Sequence, residues 1–543
     1  MLSRAQQRKS LLVLFCIYGV YIIIGVRLFR IQVTDQARYK NLGTKQYTVT
    51  ITDYPPRAPI YDRTSQYLAL NSDGISAFML PRVLKEEKKL TAWLARNAPQ
   101  ALQRLKKNHK KHFLFIKRLL TPAEYTTYTN AHIADINFLA EPQRVYPIDA
   151  VAPIIGITNT DTQGIEGIEL LFNAQLAGTP SIHTVERDGR GGLFFKKNTQ
   201  VMGHDGTPIT LTIDADIQCM ALHELQETVN EYRAESGGVV ILDPATGELH
   251  ALVSYAPGSS HPLKNSPVTD VNELGSAFKV FSALACLEEK VVTPDELIDC
   301  HNSKSSTING VPVNTWKAHG IIPYADVVAF SNNIGIALVA ERIGTKLYDH
   351  YKKLGFGSHS GIEFPGEQIG FINPPKKWSK QSIISLSYGY EISTNLVQLA
   401  RALSVVACDG YLCRPTLIKS GPTPPGLLEK IPQKPRRLYR HETIEQIRSI
   451  LIRTVTEGTG SCAKIEGYTI MGKTSSANML VNGVYDKSHS IFTFMGIIEK
   501  NNYQRIIVTS VKDVQKTGVY ASTVVGPLFE RIAQQLLLHD NIL

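Results

Sequence analysis

An α+β architecture, an antiparallel sheet with helices packed against it, is predicted by three features of the chain. Two strand-like apolar runs, residues 490–498 and 504–511, stand next to each other near the C-terminus. Residues 238–242 and 249–254 flank Pro244-Ala245-Thr246-Gly247 and read as a hairpin. Around these lie stretches with helical spacing, at 215–227, 276–287, 397–406, 442–457 and 525–538. Strands adjacent in sequence and bracketed by helices pair antiparallel, with the helices layered on the sheet.

With 543 residues the chain holds more than one domain. Its formal net charge of +10 suits an anionic surface such as membrane headgroups or wall polymers. It has no zinc-like Cys/His spacing and no long basic tail, so nucleic acid is not expected as a partner. The seven cysteines, at 16, 219, 286, 300, 408, 413 and 462, are odd in number and scattered. They read as buried thiols, with a Cys408–Cys413 bridge left open.

Residues 1–10 form a tail carrying Arg4, Arg8 and Lys9. Residues 11–29 are apolar apart from Tyr18, Tyr21 and Arg27, long enough for a transmembrane anchor. The preceding cations favour a cytoplasmic N-terminus, although Arg27, Arg30, Arg38 and Lys40 blur the charge difference. A cleavable signal peptide is the competing reading. No small-x-small site closes the run, which favours an uncleaved anchor with the remaining chain outside the cytoplasm.

Residues 30–205 mix short strand-like runs with turns and read as a non-catalytic domain. Pro55, Pro56 and Pro59 keep their stretch out of a helix. Residues 85–118 carry eleven Lys/Arg among Leu90, Trp93, Leu94, Leu102 and Leu105. Their first part reads as an amphipathic helix with a solvated cationic face, and a wall- or membrane-contacting patch is the alternative. Residues 164–169 read as a turn opening a short helix. A boundary falls at Gly203-His204-Asp205-Gly206, after which residues 209–213 alternate like a strand. Residues 206–543 form the second domain, in which 419–437, rich in Pro and Lys, read as a surface loop.

Three stretches carry chemistry. Ser276 and Lys279 stand at i and i+3, on one face of a helix. A serine hydroxyl becomes a nucleophile when a base takes its proton, and a lysine of lowered pKa can be that base. A second Ser-x-x-Lys, Ser461 to Lys464, shows how readily this spacing occurs by chance. Ser331-Asn332-Asn333 follows 55 residues after Ser276 and reads as a turn ending a helix, where a hydroxyl could relay a proton and an amide could hold a peptide group. Lys473-Thr474-Ser475-Ser476 follows 142 residues later, on a strand whose cation and hydroxyls suit a carboxylate.

In this order the stretches resemble the motif set of penicillin-binding proteins and serine β-lactamases. The whole chain is similar to a class B penicillin-binding protein, a membrane-anchored D,D-transpeptidase of cell-wall synthesis. Residues 56–65 resemble the pedestal motif of that family, 164–169 its Gly-x-Glu-Gly-x-Glu, 243–248 its hairpin and Gly458-Thr459-Gly460 its approach to the third motif. Asn333 in third place, and Ser387-Tyr388-Gly389-Tyr390 running on to 398–402, resemble the division-specific penicillin-binding protein 3 type.

The resemblance implies a penicillin-binding transpeptidase fold at 206–543, an elongated mixed α/β pedestal at 30–205 and a single membrane anchor at 11–29. It implies that Ser276 is acylated by stem peptides ending in D-Ala-D-Ala, or by β-lactams, with Lys279 as base. Ser331 would relay the proton and Asn333 orient the peptide. Lys473 and Thr474 would hold the carboxylate, beside Ser475 and Ser476, and the backbone N–H groups of Ser276 and Ser476 would form the oxyanion hole. No metal or cofactor is implied. A membrane-embedded glycosyltransferase and divisome proteins are the implied partners, and periplasmic cross-linking during division the implied role. An elongation-type enzyme, a serine β-lactamase or penicillin sensor, and a catalytically weak divisome scaffold are the alternatives. One departure stands out: Ser475 replaces the glycine of Lys-Thr-Gly, and a side chain there either points away or crowds a bound β-lactam.

Overall fold

The computed structural model describes residues 4–187, 193–260, 263–421, 437–481, 483–516 and 518–542. Most of the Pro- and Lys-rich stretch read as a surface loop, residues 422–436, lies outside them. The chain forms two compact units, Met1–Pro56 with Gly178–Gly206, and Arg57–Ala177 with Thr207–Leu543.

In the first unit the helix Arg4–Phe29 runs on through a wider turn at Arg30–Thr34 into the helix Gln36–Tyr47. The stretch Gln7–Thr34, 28 residues, is long and apolar enough to cross a bilayer. Leu11, Phe15, Ile23 and Phe29 are all exposed on it, so the helix is apolar around its circumference. The strands Thr48–Asp53, Ser181–Arg187 and Leu193–Val201 form an antiparallel sheet in that order.

In the second unit one sheet runs Ile418–Ser420, Ile209–Leu211, Ile60–Tyr61, Tyr67–Met79, Leu114–Lys117, and Asn137–Val145 also pairs with Tyr67–Met79. The strand foreseen just past the 203–206 boundary thus lies parallel to Ile60–Tyr61, with Ile209 opposite Ile60. The basic segment is two helices, Glu87–Asn97 and Pro99–Lys107. Pro99 has no N–H to continue the first helix but suits the first turn of the second. Leu90, Leu94, Ala101 and Leu105 are buried beneath, while Lys88, Lys106, Lys107, Lys110 and Lys111 face solvent.

Two motifs that sequence order keeps far apart meet here. Arg57, from the proline-rich stretch, reaches Glu169 at 2.6 Å across 112 residues, and Arg144 reaches the same carboxylate at 2.7 Å. Arg57 also donates to Asn173 Oδ1 at 2.9 Å and to the Glu169 carbonyl at 2.9 Å. All three charged side chains are buried. Asp62 accepts from the Thr64 and Gln66 amides at 2.8 Å, and from the Ala215 amide at 3.2 Å, at the start of the helix Ala215–Glu231. Glu169→Ala would strand two guanidinium groups out of water. It is expected to cost about 3–5 kcal/mol, read as a lower denaturant midpoint.

The second sheet is antiparallel throughout, in the order Leu249–Tyr255, Ala234–Leu242, Tyr503–Val514, Val484–Lys500, Thr469–Val481. Val240, Leu242, Met495 and Val508 face the helices Lys279–Glu288, Leu396–Ala407 and His441–Thr456. Val239, Ile241, Phe494 and Ile507 face Ala215–Glu231 and Ala521–His539. Burial on both faces makes these strands continuous apolar runs rather than alternating ones. The last helix starts four residues earlier than its pattern suggests, because Gly526 and Pro527 are poor helix formers that mask its first turns. All seven cysteines are free, so the Cys408–Cys413 bridge is not formed. Cys286 and Cys300 are buried as expected, whereas Cys16 and Cys219 are exposed.

Candidate active site

Ser276 stands in a 3₁₀ turn, Gly275–Phe278, that feeds the helix Lys279–Glu288. Its amide lies in a first turn, where N–H groups have no carbonyl one turn back to bond. Gly275 has φ +52°, and a Cβ there would sit 3.1–3.2 Å from Ser475 Oγ, Ala477 Cβ and the Ser476 carbonyl. Only glycine lets the turn lie this close to the strand. The same holds for Gly389, at φ +87°, whose Cβ would come within 2.1 Å of the Gly275 carbonyl. The stretch Ser387–Tyr390 is thereby clamped on the turn, and the Gly275 amide donates to the Gly389 carbonyl at 3.2 Å.

Lys279 is fully buried. Its Nζ donates to the Ser331 carbonyl at 2.7 Å and to Ser331 Oγ at 3.0 Å. Burial first, and then the charge of Lys473, hold its pKa well below the ordinary lysine value.

Ser331 lies in a turn between two helices. One helix, Tyr324–Ala329, ends before it and another, Asn333–Ile343, begins after it. Ser331 takes φ +59°, a left-handed conformation costly for a residue with a Cβ. Asn332 caps the second helix by accepting from the Gly335 amide at 2.9 Å. Asn333 is half-buried at its first position, and its Nδ2 donates to the Asn314 carbonyl at 2.6 Å.

The third stretch lies on Thr469–Val481, the edge strand of the sheet. Alternation puts Lys473 and Ser475 on the same face as Met471, against the nucleophile turn, and Thr474 and Ser476 on the other. Burial brings the Lys473 pKa down to about 7. Thr474 Oγ1 donates to Thr459 Oγ1 at 2.9 Å. Ser476 is exposed. Its strand edge, unpaired within the sheet, offers backbone groups to an extended peptide.

Ser475 is buried, and its hydroxyl donates to the Leu274 carbonyl at the entry to the nucleophile turn. The side chain that replaces glycine therefore points away from the exposed lip at Ser476 and ties strand to turn. Ser475→Gly is expected to lose about 1 kcal/mol of stability with that bond. Its acylation by penicillin should stay within about threefold of wild type. Ser475→Val leaves the Leu274 carbonyl without its donor and adds bulk against Gly275; its acylation should fall more than about tenfold. Melting curves and penicillin uptake measure both.

Lys279 and Ser331 are thus bonded, Lys473 is near enough for its charge to act on Lys279, and Ser276 stands in the turn that leads into Lys279. Asn333 is anchored to Asn314 and Thr474 to Thr459, each beside this centre rather than bonded to it. Thr459 belongs to a stretch legible as an approach to the third motif, but its hydroxyl contact needed the fold. Ser461 and Lys464, the chance Ser-x-x-Lys, are exposed around the short turn Ser461–Ala463.

Fold and site together place a buried lysine, bonded to Ser331, at the helix start that follows the Ser276 turn, an arrangement that suits a serine acyltransferase. Residues 237–534 match the model of the penicillin binding protein transpeptidase domain, and residues 52–211 that of the penicillin-binding protein dimerisation domain. "Probable peptidoglycan D,D-transpeptidase PenA" of Neisseria meningitidis is 30% identical over 91% of this chain and 86% of its own length. Peptidoglycan D,D-transpeptidase FtsI of Buchnera aphidicola is 27% identical over 98% and 95%. The crystal structure of penicillin-binding protein 3 from Mycobacterium tuberculosis in complex with aztreonam shares the fold, with a TM-score of 0.67 over 91% of this chain and 98% of that one, at 24% identity. The chain belongs to the class B penicillin-binding proteins, with a transpeptidase domain behind a dimerisation domain.

Proposed function

We propose that this chain is a serine-type peptidoglycan D,D-transpeptidase that forms an acyl-enzyme on Ser276. One observation carries this. A neutral lysine amine has two N–H bonds and one lone pair. Both N–H bonds of Lys279 are used on Ser331, so the lone pair is left to receive the Ser276 proton.

Ser276 Oγ attacks the carbonyl of the penultimate D-Ala as Lys279 takes its proton. The oxyanion is held by the Ser276 and Ser476 amides, each worth about 3 kcal/mol. Ser331 gives its proton to the departing D-Ala nitrogen and is reprotonated by the Lys279 ammonium, leaving the amine neutral and an ester on Ser276. An amine from a neighbouring stem peptide attacks the ester and loses its proton to Lys279, which passes it to the departing Ser276 Oγ, so that the hydroxyl and the neutral amine are both restored. Asn333 orients the donor peptide. Lys473 and Thr474 hold its terminal carboxylate, whose arrival favours the charged form of Lys473 and raises its pKa from about 7. β-Lactams enter by the same attack and stay because no efficient water is delivered to the ester.

The apolar helix anchors the chain, with the catalytic domain on the periplasmic side. Asn333 in third place and the Ser387–Tyr390 stretch favour septal synthesis, with a membrane glycosyltransferase and divisome proteins as partners. The purified chain, given a fluorescent penicillin, should carry one label on the Ser276 peptide and release it slowly. Rapid turnover would point to a β-lactamase. Full rescue of division by a Ser276→Ala chain would point to a scaffold.

A further inference from the structure

The left-handed turn at Ser331 is closed by two backbone bonds, from the Ser331 amide to the Val328 carbonyl at 3.1 Å and from the Asn332 amide to the Val327 carbonyl at 2.8 Å. It is gripped by the strap Asn314–His319, which follows the strand Val311–Asn314. Asn314 accepts from Asn333 Nδ2 at 2.6 Å, and Thr315 Oγ1 accepts from the Asn333 amide at 3.3 Å. Trp316 Nε1 donates to the Phe330 carbonyl at 2.8 Å, and the His319 ring stacks on Phe330 with centroids 5.6 Å apart. The remaining contact joins His319 Nδ1 to Asn332 Nδ2 at 3.1 Å.

The direction of that last bond follows from its surroundings. Asn332 Oδ1 is already the acceptor for the Gly335 amide, so Asn332 must present its NH₂ group to the histidine. His319 Nδ1 is therefore the acceptor, and the neutral ring carries its proton on Nε2. Protonation would set two N–H donors facing each other across 3.1 Å.

We propose that His319 is a positioning residue for acyl transfer: when neutral, it holds Asn332 and so keeps Ser331 turned onto Lys279, and when protonated it releases that hold. The charged groups around it are Lys317 on its own strap and Asp326 on the helix Tyr324–Ala329, which is paired with Arg453 at 2.9 Å. Burial and the Lys317 ammonium push the imidazole below its ordinary range, against a backbone hydrogen bond at Lys317 and the pull of Asp326.

The inference rests on Ser276 acylation, and the test separates the two. Acylation by a fluorescent penicillin is followed from pH 5 to 9 in the full-length chain, with folding checked by melting temperature. The acid limb of the wild type should report two protons, one at Lys279 and one at His319. His319→Ala should acylate about tenfold more slowly at pH 8, since small misplacements of a catalytic group are costly. His319→Asn restores an acceptor near the Nδ1 position without a titrating group; it should recover most of the rate and show an acid limb of one proton. Wild-type rates in His319→Ala, or a two-proton limb kept in His319→Asn, would overturn the proposal. A wild-type chain that takes up no penicillin at any pH would instead overturn the transpeptidase reading beneath it.

Discussion

Ser276→Ala is expected to take up no fluorescent penicillin, an effect of at least about 10³-fold on acylation. The loss should be complete because no other hydroxyl among the described residues is placed to substitute. Ser331 lies within reach of Lys279, but it accepts the lysine's N–H rather than facing its lone pair. Ser461 and Lys464 are both exposed to solvent rather than buried together. Alanine at a half-buried position in a short turn disturbs packing little, and the melting temperature should stay within a few degrees of wild type. Persistent labelling of the folded variant would refute the assignment of the nucleophile.

Lys279→Met is expected to lower acylation by about 10³-fold while leaving the fold as stable as wild type, or more so. Methionine matches the unbranched stem and can remain fully buried, and it removes an amine whose charged form is expensive there. The pH dependence has a definite sign. The base works only when neutral, so acylation rises as pH climbs through the lowered Lys279 pKa and falls below it. Lys473 adds a stability effect of the same origin. Its folded value is about 7 against 10.5 for an ordinary lysine, so between these the unfolded chain binds more protons and stability rises with pH. Chemical denaturation at pH 6.5 and pH 9 should show that rise, and Lys473→Met should lessen it, leaving the share of the buried Lys279.

Much of this protein was legible before folding was considered. The spacing of Ser276 and Lys279, the order of the three stretches, the hairpin at Ala234–Tyr255 and the apolar helix near the N-terminus are local facts. Period-two and period-3.6 patterns report them because neighbours along the chain share one backbone geometry. Even the replacement of glycine by Ser475 could be read as a departure, though not its outcome, since a side chain on a strand has two faces to choose between.

What remained hidden depends on contacts between distant residues. No local pattern shows that Arg57 and Arg144 share Glu169, that Thr459 meets Thr474, or that His319 reaches Asn332. Ser331 sits amid helix-forming residues, and contacts from Lys279, the strap and the following cap accompany its left-handed turn. Sequence alone determined which groups the site would contain and in what order. Tertiary structure decided their setting, because burial lowers the Lys279 pKa and packing turns Ser475 onto Leu274 rather than into the cleft.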